Sequence, residues 1–154
     1  EVNAEWLSRF ARAIEDAVLA RLAKQQPVAA AWMQHGAVVE VFPAPPTPET
    51  HLRLLQQSDA VVLAVDDATQ QVVGFITAIS DGVLSAYIPL LEVLPAWQGQ
   101  GIGRQLVERM LARLASLYMV DLLCDAELQP FYATLGMRPA AGMMVRNYAK
   151  QRGE

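Results

Sequence analysis

The segment of this 154-residue chain that could most readily do chemistry is a glycine-rich turn over residues 95–104. It reads Pro-Ala-Trp-Gln-Gly-Gln-Gly-Ile-Gly-Arg, and it stands between a strand-like apolar run and a helix-like segment. The first N–H groups of a helix have no partner within the helix, and glycine has no Cβ to block close approach. Such a turn predicts a site for a phosphate or pyrophosphate group.

Two common nucleotide-binding fingerprints are absent from this turn. The dinucleotide pattern G-x-G-x-x-G needs a third glycine, and Leu106 stands at that position after Gly101 and Gly103. The Walker A pattern is excluded because no Gly-Lys-Ser/Thr follows. On these residues alone, a phosphate-binding loop and a purely structural turn are equal alternatives.

The residues around the turn predict the elements that position it. Hydrophobic spacing predicts helices over 4–24, 48–57 and 101–117, and a short helix that Pro130 begins and Gly136 ends. Apolar and β-branched runs between turn signals predict strands over 37–42, 60–65, 71–79, 83–94, 119–123 and 142–146. Pro89 has no N–H for a strand ladder, so we expect a β-bulge or an unpaired flank there. The order α-β-α-β-β-β-α-β-α-β predicts a mixed α+β domain.

Composition and charge limit the possible partners. Hydrophobic residues make up 53% and charged residues 18%, where about 25% charged is usual, so we expect apolar surface that a second subunit covers in a homodimer. A net charge of −4 without a long basic run argues against nucleic acid. Apolar runs such as 60–65 are far shorter than the roughly 20 residues of a membrane span. The acidic first residues give no secretion signal, and the single cysteine, Cys124, fits a reducing compartment, so we expect a cytoplasmic protein without a metal site.

Two motifs match one protein family in order and spacing. Gln98-x-x-Gly101-x-Gly103 after Leu91-x-Val93-x-Pro95 resembles the acetyl-coenzyme A loop of the GNAT superfamily of N-acetyltransferases. Downstream, Asp125-x-x-Leu128-x-x-Phe131-Tyr132-x-x-x-Gly136-Met137 is similar to a second family motif, in which relatives usually show Asn first and Phe last. The resemblance covers roughly residues 37–148 and leaves the N-terminal helix outside it.

The resemblance implies a fold and a cofactor site. The implied fold is α+β, a mixed and mostly antiparallel sheet whose central parallel strands, about 84–94 and 119–124, splay apart between flanking helices. The pantetheine arm would lie in that gap against the backbone of Leu91, Glu92 and Val93, where an N–H would hold the thioester oxygen. The remaining implied cofactor contacts are the N–H groups of the turn and two residues of the second motif: Gln98, Gly99, Gln100, Gly101, Ile102, Gly103, Arg104, Asp125 and Phe131.

Acetyl transfer to an amine needs two proton transfers. An alkyl amine with a pKa near 10.4 must lose a proton before it attacks at neutral pH, and the departing thiolate is better protonated. Tyr132 matches the family's usual tyrosine acid, and a packing tyrosine is the alternative. The positions that carry a Glu or His base in some relatives are Tyr87 and Pro89 here, and Tyr87 could act only through a water chain. Glu92 is the nearest carboxylate, but strand alternation turns it away from Tyr87 and Leu91 unless a bulge resets the register. A base, a structural role and a substrate-orienting role therefore stay open for Glu92.

Four other residues of reactive type have competing interpretations. For Asp125, at the end of the predicted strand, helix capping and a cofactor or substrate contact are equal alternatives. Cys124 is expected to be a small core residue, because no histidine is near it in sequence. His35 and His51 are expected on the surface.

The sequence as a whole predicts one compact unit with an N-terminal helical extension over 1–36 packed on an acetyl-CoA-binding GNAT-like domain over 37–154. The predicted function is acetyl transfer from acetyl-CoA to a primary amine, small-molecule or peptide, by direct attack in a ternary complex. Two alternatives stay open. One is a catalytically weak acyl-CoA-binding regulatory module, which the missing base favours, and the other is a structural protein whose glycine turn is only a turn.

Overall fold

The computed structural model describes residues 48–150 and residue 153. Several predictions lie outside the described residues: the helix over 4–24, the strand over 37–42, the extension over 1–36 and the surface position of His35. The side chain of His51 is likewise not described, although its backbone belongs to a helix.

Four strands form a single sheet in the order β1-β2-β3-β4. They are β1 (Ala60–Val65), β2 (Val72–Ser80), β3 (Ser85–Val93) and β4 (Met119–Asp121). The first three pair antiparallel in two hairpins, and β4 pairs with β3 in parallel. The β2–β3 turn is held by the Asp81 carboxylate, which accepts hydrogen bonds from the N–H groups of Val83, Leu84 and Ser85 at 2.8, 2.8 and 3.0 Å. The predicted mixed, mostly antiparallel sheet is confirmed.

Three α-helices flank this sheet: α1 (Pro48–Gln57), α2 (Ile102–Arg113) and α3 (Gln129–Ala133). The predicted bounds of α1 are confirmed. α2 ends at Arg113 rather than at 117, because the chain tightens into short turns there. The N–H of Ala115 bonds the carbonyl of Ala112, and the N–H of Leu117 bonds that of Leu114. These turns redirect the chain into β4.

The two faces of the sheet bury separate apolar clusters. On one face, α2 packs Leu106, Val107 and Met110 against β-strand residues that include Ile76 and Ile88. On the other face, α1 packs against a smaller cluster around Leu55, Val72 and Phe75. Strand side chains alternate between the two faces of a sheet. Whether a side chain of β3 packs with the α1 cluster or with the α2 cluster therefore shows on which face it lies.

A β-bulge interrupts β3 at Pro89, as the sequence predicts. Thr77 pairs with Leu90 and Ile79 pairs with Tyr87, so Ala78 alone stands opposite Ile88 and Pro89. The extra residue absorbs the proline, which has no N–H to donate.

The bulge also resets the alternation of β3. Glu92 pairs with Phe75, and Tyr87 pairs with Ile79, so both lie on the sheet face of the α1 cluster. Leu91 and Val93 pack against the α2 cluster on the opposite face. Regular alternation would have turned Glu92 away from Tyr87, and the extra residue reverses that expectation.

The C-terminal part of the domain departs from the prediction. β4 ends at Asp121 rather than at 123, and the strand predicted over 142–146 is wrong, because this segment is irregular. Gly142 lies beside Leu123, past the end of β4, and within the described residues no backbone hydrogen bond joins 142–146 to a strand. Val145 is 92% exposed. A strand-like sequence becomes a strand only when it pairs with a neighbouring strand, and this segment pairs with none of the described strands.

Candidate active site

The parallel strands β3 and β4 separate after only a short region of pairing. Their last pair is Tyr87 with Asp121, and β3 runs on to Val93. In the described part of the chain, no strand pairs with this continuing edge of β3. The backbone of Leu91, Glu92 and Val93 therefore lies along an open edge, in the gap that the splayed pair predicts.

Gln98 braces the turn that follows β3. Its backbone N–H donates to the carbonyl of Pro95 at 3.2 Å, and its side-chain Nε2 donates to the carbonyl of Val93 at 2.9 Å. The N–H of Gln98 is therefore already used within the chain. Its side chain ties the turn back to the open end of β3.

The next N–H groups, from Gly99 through Arg104, have no acceptor among the described residues. The first backbone bond of α2 runs from Gln105 to the carbonyl of Gly101 at 3.1 Å. Gly99 and Gly101 have φ of +73° and +81°, the left-handed conformation that glycine adopts without strain. A Cβ at Gly101 would meet nothing within 4 Å, so the space beside these donors is open. These consecutive free N–H donors stand at the start of a helix, where an anion binds favourably, and the first turn of that helix has no acidic residue to repel it. The turn therefore fits a diphosphate group.

Arg104 connects this turn to the end of α3. Its Nη2 donates to Oγ1 of Thr134 at 2.6 Å, and its Nη1 pairs with Oε1 of Glu108 at 3.2 Å. The sequence placed Arg104 in the cofactor loop, but nothing in its spacing indicated the contact with Thr134.

Glu92 lies close enough to Tyr132 to influence the ionisation of its phenol. Burial raises the pKa of Glu92 to about 7 from an ordinary value of 4.5. Burial also raises the pKa of Tyr132, and the ionised forms of Cys124 and Glu92 raise it further. Both shifts favour the protonated form, since a charge is costly where water is excluded. The site thus combines a carboxyl group that titrates near neutral pH with a phenol that keeps its proton.

Cys124 does not lie in the core, so that prediction is wrong. Its side chain is half-buried and lines a cleft, because β4 ends at Asp121 and the chain has left the sheet by residue 124. Burial and the neighbouring Asp125 carboxylate raise the pKa of the Cys124 thiol. The thiol is therefore in its weakly nucleophilic protonated form at neutral pH.

The two other residues of the second motif have different surroundings. Asp125 precedes a 3-10 turn over Ala126–Leu128, and its side chain makes no capping hydrogen bond. It is exposed, so a cofactor or substrate contact stays a prediction. Phe131 packs against the α2 cluster, and its ring meets that of Tyr132 edge-on at 5.0 Å between centroids.

A cleft of about 1050 Å³ opens between β4, α3 and residues 137–143. Tyr87, Cys124 and Tyr132 are among its lining residues, so the cleft reaches two of the predicted catalytic residues, Tyr87 and Tyr132, whereas Glu92 is not part of its lining. Apolar and aromatic side chains dominate the lining, and its charged side chains are Asp121 and Arg138. Much of the wall is irregular chain, which carries no periodic pattern, so no sequence signal could have revealed this cleft.

The described residues contain neither a candidate metal cluster nor a membrane-spanning helix. No group of three or more His, Cys, Asp or Glu side chains could hold a metal ion in this part of the chain. None of the described helices is long and apolar enough to cross a membrane.

A family model and two curated relatives all describe acetyltransferases. Residues 33–148 match the acetyltransferase (GNAT) domain. The chain is 33% identical over 109 residues to serotonin N-acetyltransferase 2, chloroplastic, from Oryza sativa subsp. japonica, covering 66% of the chain and 54% of the relative. It is 41% identical over 68 residues to GCN5-related N-acetyltransferase 3, chloroplastic, from Arabidopsis thaliana, covering 43% of the chain and 29% of the relative. The chain thus spans from under a third to about half of these curated relatives.

A solved structure supports the same assignment. A candidate acetyltransferase from Deinococcus radiodurans R1 is 47% identical and superposes with a TM-score of 0.69, over 77% of this chain and 82% of that one. The splayed parallel pair and the mixed sheet agree with this match. Members of this family use acetyl-CoA, and the free donors of residues 99–104 fit its diphosphate. The chain belongs to the GNAT family of acetyltransferases.

Proposed function

We propose that this chain transfers an acetyl group from acetyl-CoA to a primary amine by direct attack in a ternary complex, with Glu92 as the base and Tyr132 as the acid. The observation that carries the proposal is that Glu92, at the open end of β3, lies close enough to Tyr132 for its charge to raise the pKa of that phenol. Their pKa values are both raised, but only that of Glu92 reaches the neutral range. Groups whose pKa values differ in this way suit opposite proton transfers.

Glu92 has the properties of a base for an amine. An alkylammonium group has a pKa near 10.4, and only the neutral amine attacks. A carboxyl group with a pKa of about 7 is half ionised at neutral pH, and it binds a proton far more readily than an ordinary glutamate. The side chain of Tyr87 lies on the same sheet face but farther back along β3, and it lines the cleft, where it can orient the amine.

Tyr132 has the properties of an acid for a leaving sulfur. Its raised pKa keeps Oη protonated at neutral pH, and burial limits exchange of that proton with bulk water. Acetyl-CoA supplies the activated thioester and a thiolate leaving group. The chain's own contribution is a proton held at Oη and a phenol ring packed on the α2 cluster.

The donor would be held by backbone groups. The free N–H groups from Gly99 to Arg104 would bind the diphosphate, and the open edge at Leu91, Glu92 and Val93 would pair with the pantetheine amides. Gln98 would keep the turn and the strand end at a constant separation through its bond to Val93.

The cleft beside Tyr132 suits an amine with an apolar body. Its lining is largely apolar and aromatic, and Asp121 offers one carboxylate for a cation. One curated relative is named a serotonin N-acetyltransferase, and serotonin is a primary amine on an aromatic ring system. We therefore place aromatic alkylamines first among acceptors, ahead of polyamines, aminosugars and peptide lysines.

The test is release of CoA thiol from acetyl-CoA in the presence of each amine class, corrected for the thiol of Cys124. We expect turnover with at least one aromatic alkylamine and a rate that rises with pH through about 7, as Glu92 loses its proton. Binding of acetyl-CoA without turnover on any amine would favour the regulatory module. A protein whose thermal stability does not respond to saturating CoA would contradict both.

A further inference from the structure

The helix that carries Tyr132 is too short to hold its own position. α3 has five residues, none of them fully buried, and isolated helices of that length are unstable in water. Phe131, Tyr132 and Leu135 pack against the α2 cluster, but apolar contacts alone are not directional. A general acid must be placed within hydrogen-bonding distance of its target, so some directional contact is needed.

Arg104 and Thr134 supply such a contact. Arg104 lies in the first turn of α2, and its Nη2 donates to Oγ1 of Thr134 at 2.6 Å. The same hydroxyl donates to the carbonyl of Phe131 at 2.7 Å, and that carbonyl belongs to the peptide group joining Phe131 to Tyr132. Glu108 holds the other terminal nitrogen of the guanidinium at 3.2 Å. Within the described residues, no other side-chain hydrogen bond joins the α3 segment to α2.

We propose that Arg104 and Thr134 are positioning residues that hold α3, and with it Tyr132, in a set position relative to the turn of residues 99–104. This inference rests on the proposed function, because it assigns the contact a purpose in acetyl transfer. A guanidinium group has five N–H donors, so Arg104 can keep its bonds to Thr134 and Glu108 and still donate to a diphosphate bound at the backbone N–H groups of the turn. Binding of the diphosphate would then also steady the helix that bears the acid.

The test compares three threonine variants. Thr134→Val keeps the shape of the side chain and removes the hydroxyl, whereas Thr134→Ser keeps the hydroxyl. Thr69→Val is the matched control, because Thr69 is also exposed and its hydroxyl bonds a turn residue, Asp66, at 2.5 Å. Circular dichroism checks that each variant is folded.

For Thr134→Val we expect kcat to fall about 10-fold. A misplacement of about 1 Å can cost about 10²-fold in rate, and the apolar contacts of α3 that remain in this variant should limit the displacement to less than that. The dissociation constant of acetyl-CoA should stay within about 2-fold, and Thr134→Ser should restore kcat. Arg104→Met should lower both kcat and acetyl-CoA affinity. Its kcat loss should not add to that of Thr134→Val in the double variant, because both changes break one contact.

A second readout does not depend on turnover. Tyrosinate absorbance during a pH titration, taken as the difference from Tyr132→Phe, reports the pKa of Tyr132. We expect that pKa to fall towards its ordinary value in Thr134→Val, because a loosened α3 exposes the phenol, and to stay unchanged in Thr134→Ser and Thr69→Val. An unchanged titration and an unchanged kcat in Thr134→Val would overturn the positioning role. A wild-type protein that transfers no acetyl group would instead refute the proposed function, and the titration would still decide the positioning role.

Discussion

Replacing Glu92 with Gln should stabilise the protein above neutral pH while it removes the base. Burial raises the pKa of this carboxyl group from 4.5 to about 7, so the folded state holds a proton that the unfolded chain releases between those values. A shift of one pKa unit corresponds to about 1.4 kcal/mol, so the buried carboxylate lowers the free energy of unfolding by about 3 kcal/mol at high pH. Glutamine has nearly the same shape and never ionises, so it avoids this cost.

The sign of the effect follows from proton binding. Below about pH 4.5 both states of the wild type hold the proton, and Glu92→Gln should change stability little. As pH rises from 4.5 to 7, the folded wild type binds more protons than the unfolded chain, so its free energy of unfolding falls. The advantage of Glu92→Gln should therefore grow to about 3 kcal/mol by about pH 8 and then level off.

Urea unfolding followed by circular dichroism across this pH range measures the difference directly. Glu127→Gln is the matched control, because it removes one carboxylate at an exposed position in the turn before α3. In parallel, kcat of Glu92→Gln should fall about 10²–10⁴-fold, the usual contribution of general acid–base catalysis. A stability difference that does not vary with pH would refute the claim that burial perturbs Glu92, and an unchanged kcat would refute its role as base.

Three further outcomes follow from the site and the surface. Gly101→Val should abolish CoA binding in a folded protein, because a β-branched residue is strained at φ of +81° and would distort the turn whose N–H groups bind the diphosphate. The control is Gly82→Val, at φ of +71° in a remote hairpin turn, which should cost similar stability and leave CoA titrations unchanged. Tyr132→Phe should lower turnover about 10²–10⁴-fold and keep acetyl-CoA affinity within a few-fold, and normal turnover with reduced stability would make this residue a packing tyrosine. We expect a homodimer, because the apolar side chains of Val83 and Tyr118 are 80% and 83% exposed at one end of the sheet. Light scattering should give twice the mass of one chain, and a single-chain mass at micromolar concentration would count against the homodimer.

The sequence alone predicted the elements whose cause is local. α1 begins at Pro48, whose fixed φ suits the first turn of a helix, and the Asp81-Gly82 turn joins two strands whose side chains alternate. The bulge at Pro89 was predictable too, because a missing N–H disrupts a ladder wherever it occurs. The glycines of residues 99–103 likewise signalled a loop open to an anion, and two spaced motifs then indicated the family.

Only the tertiary structure decided which groups meet. The orientation of Glu92 depends on whether the bulge shifts the register by one residue, and its pKa depends on burial that the folded chain creates. The contact from Arg104 to Thr134 joins residues 30 positions apart, and no local pattern encodes it. The strand expected at 142–146 failed for the same reason, since β-prone sequence alone does not make a strand, and this segment pairs with no strand among the described residues. Local sequence thus determined the turns, the helices and the loop, while pairing and burial, which are non-local, determined the chemistry of the site.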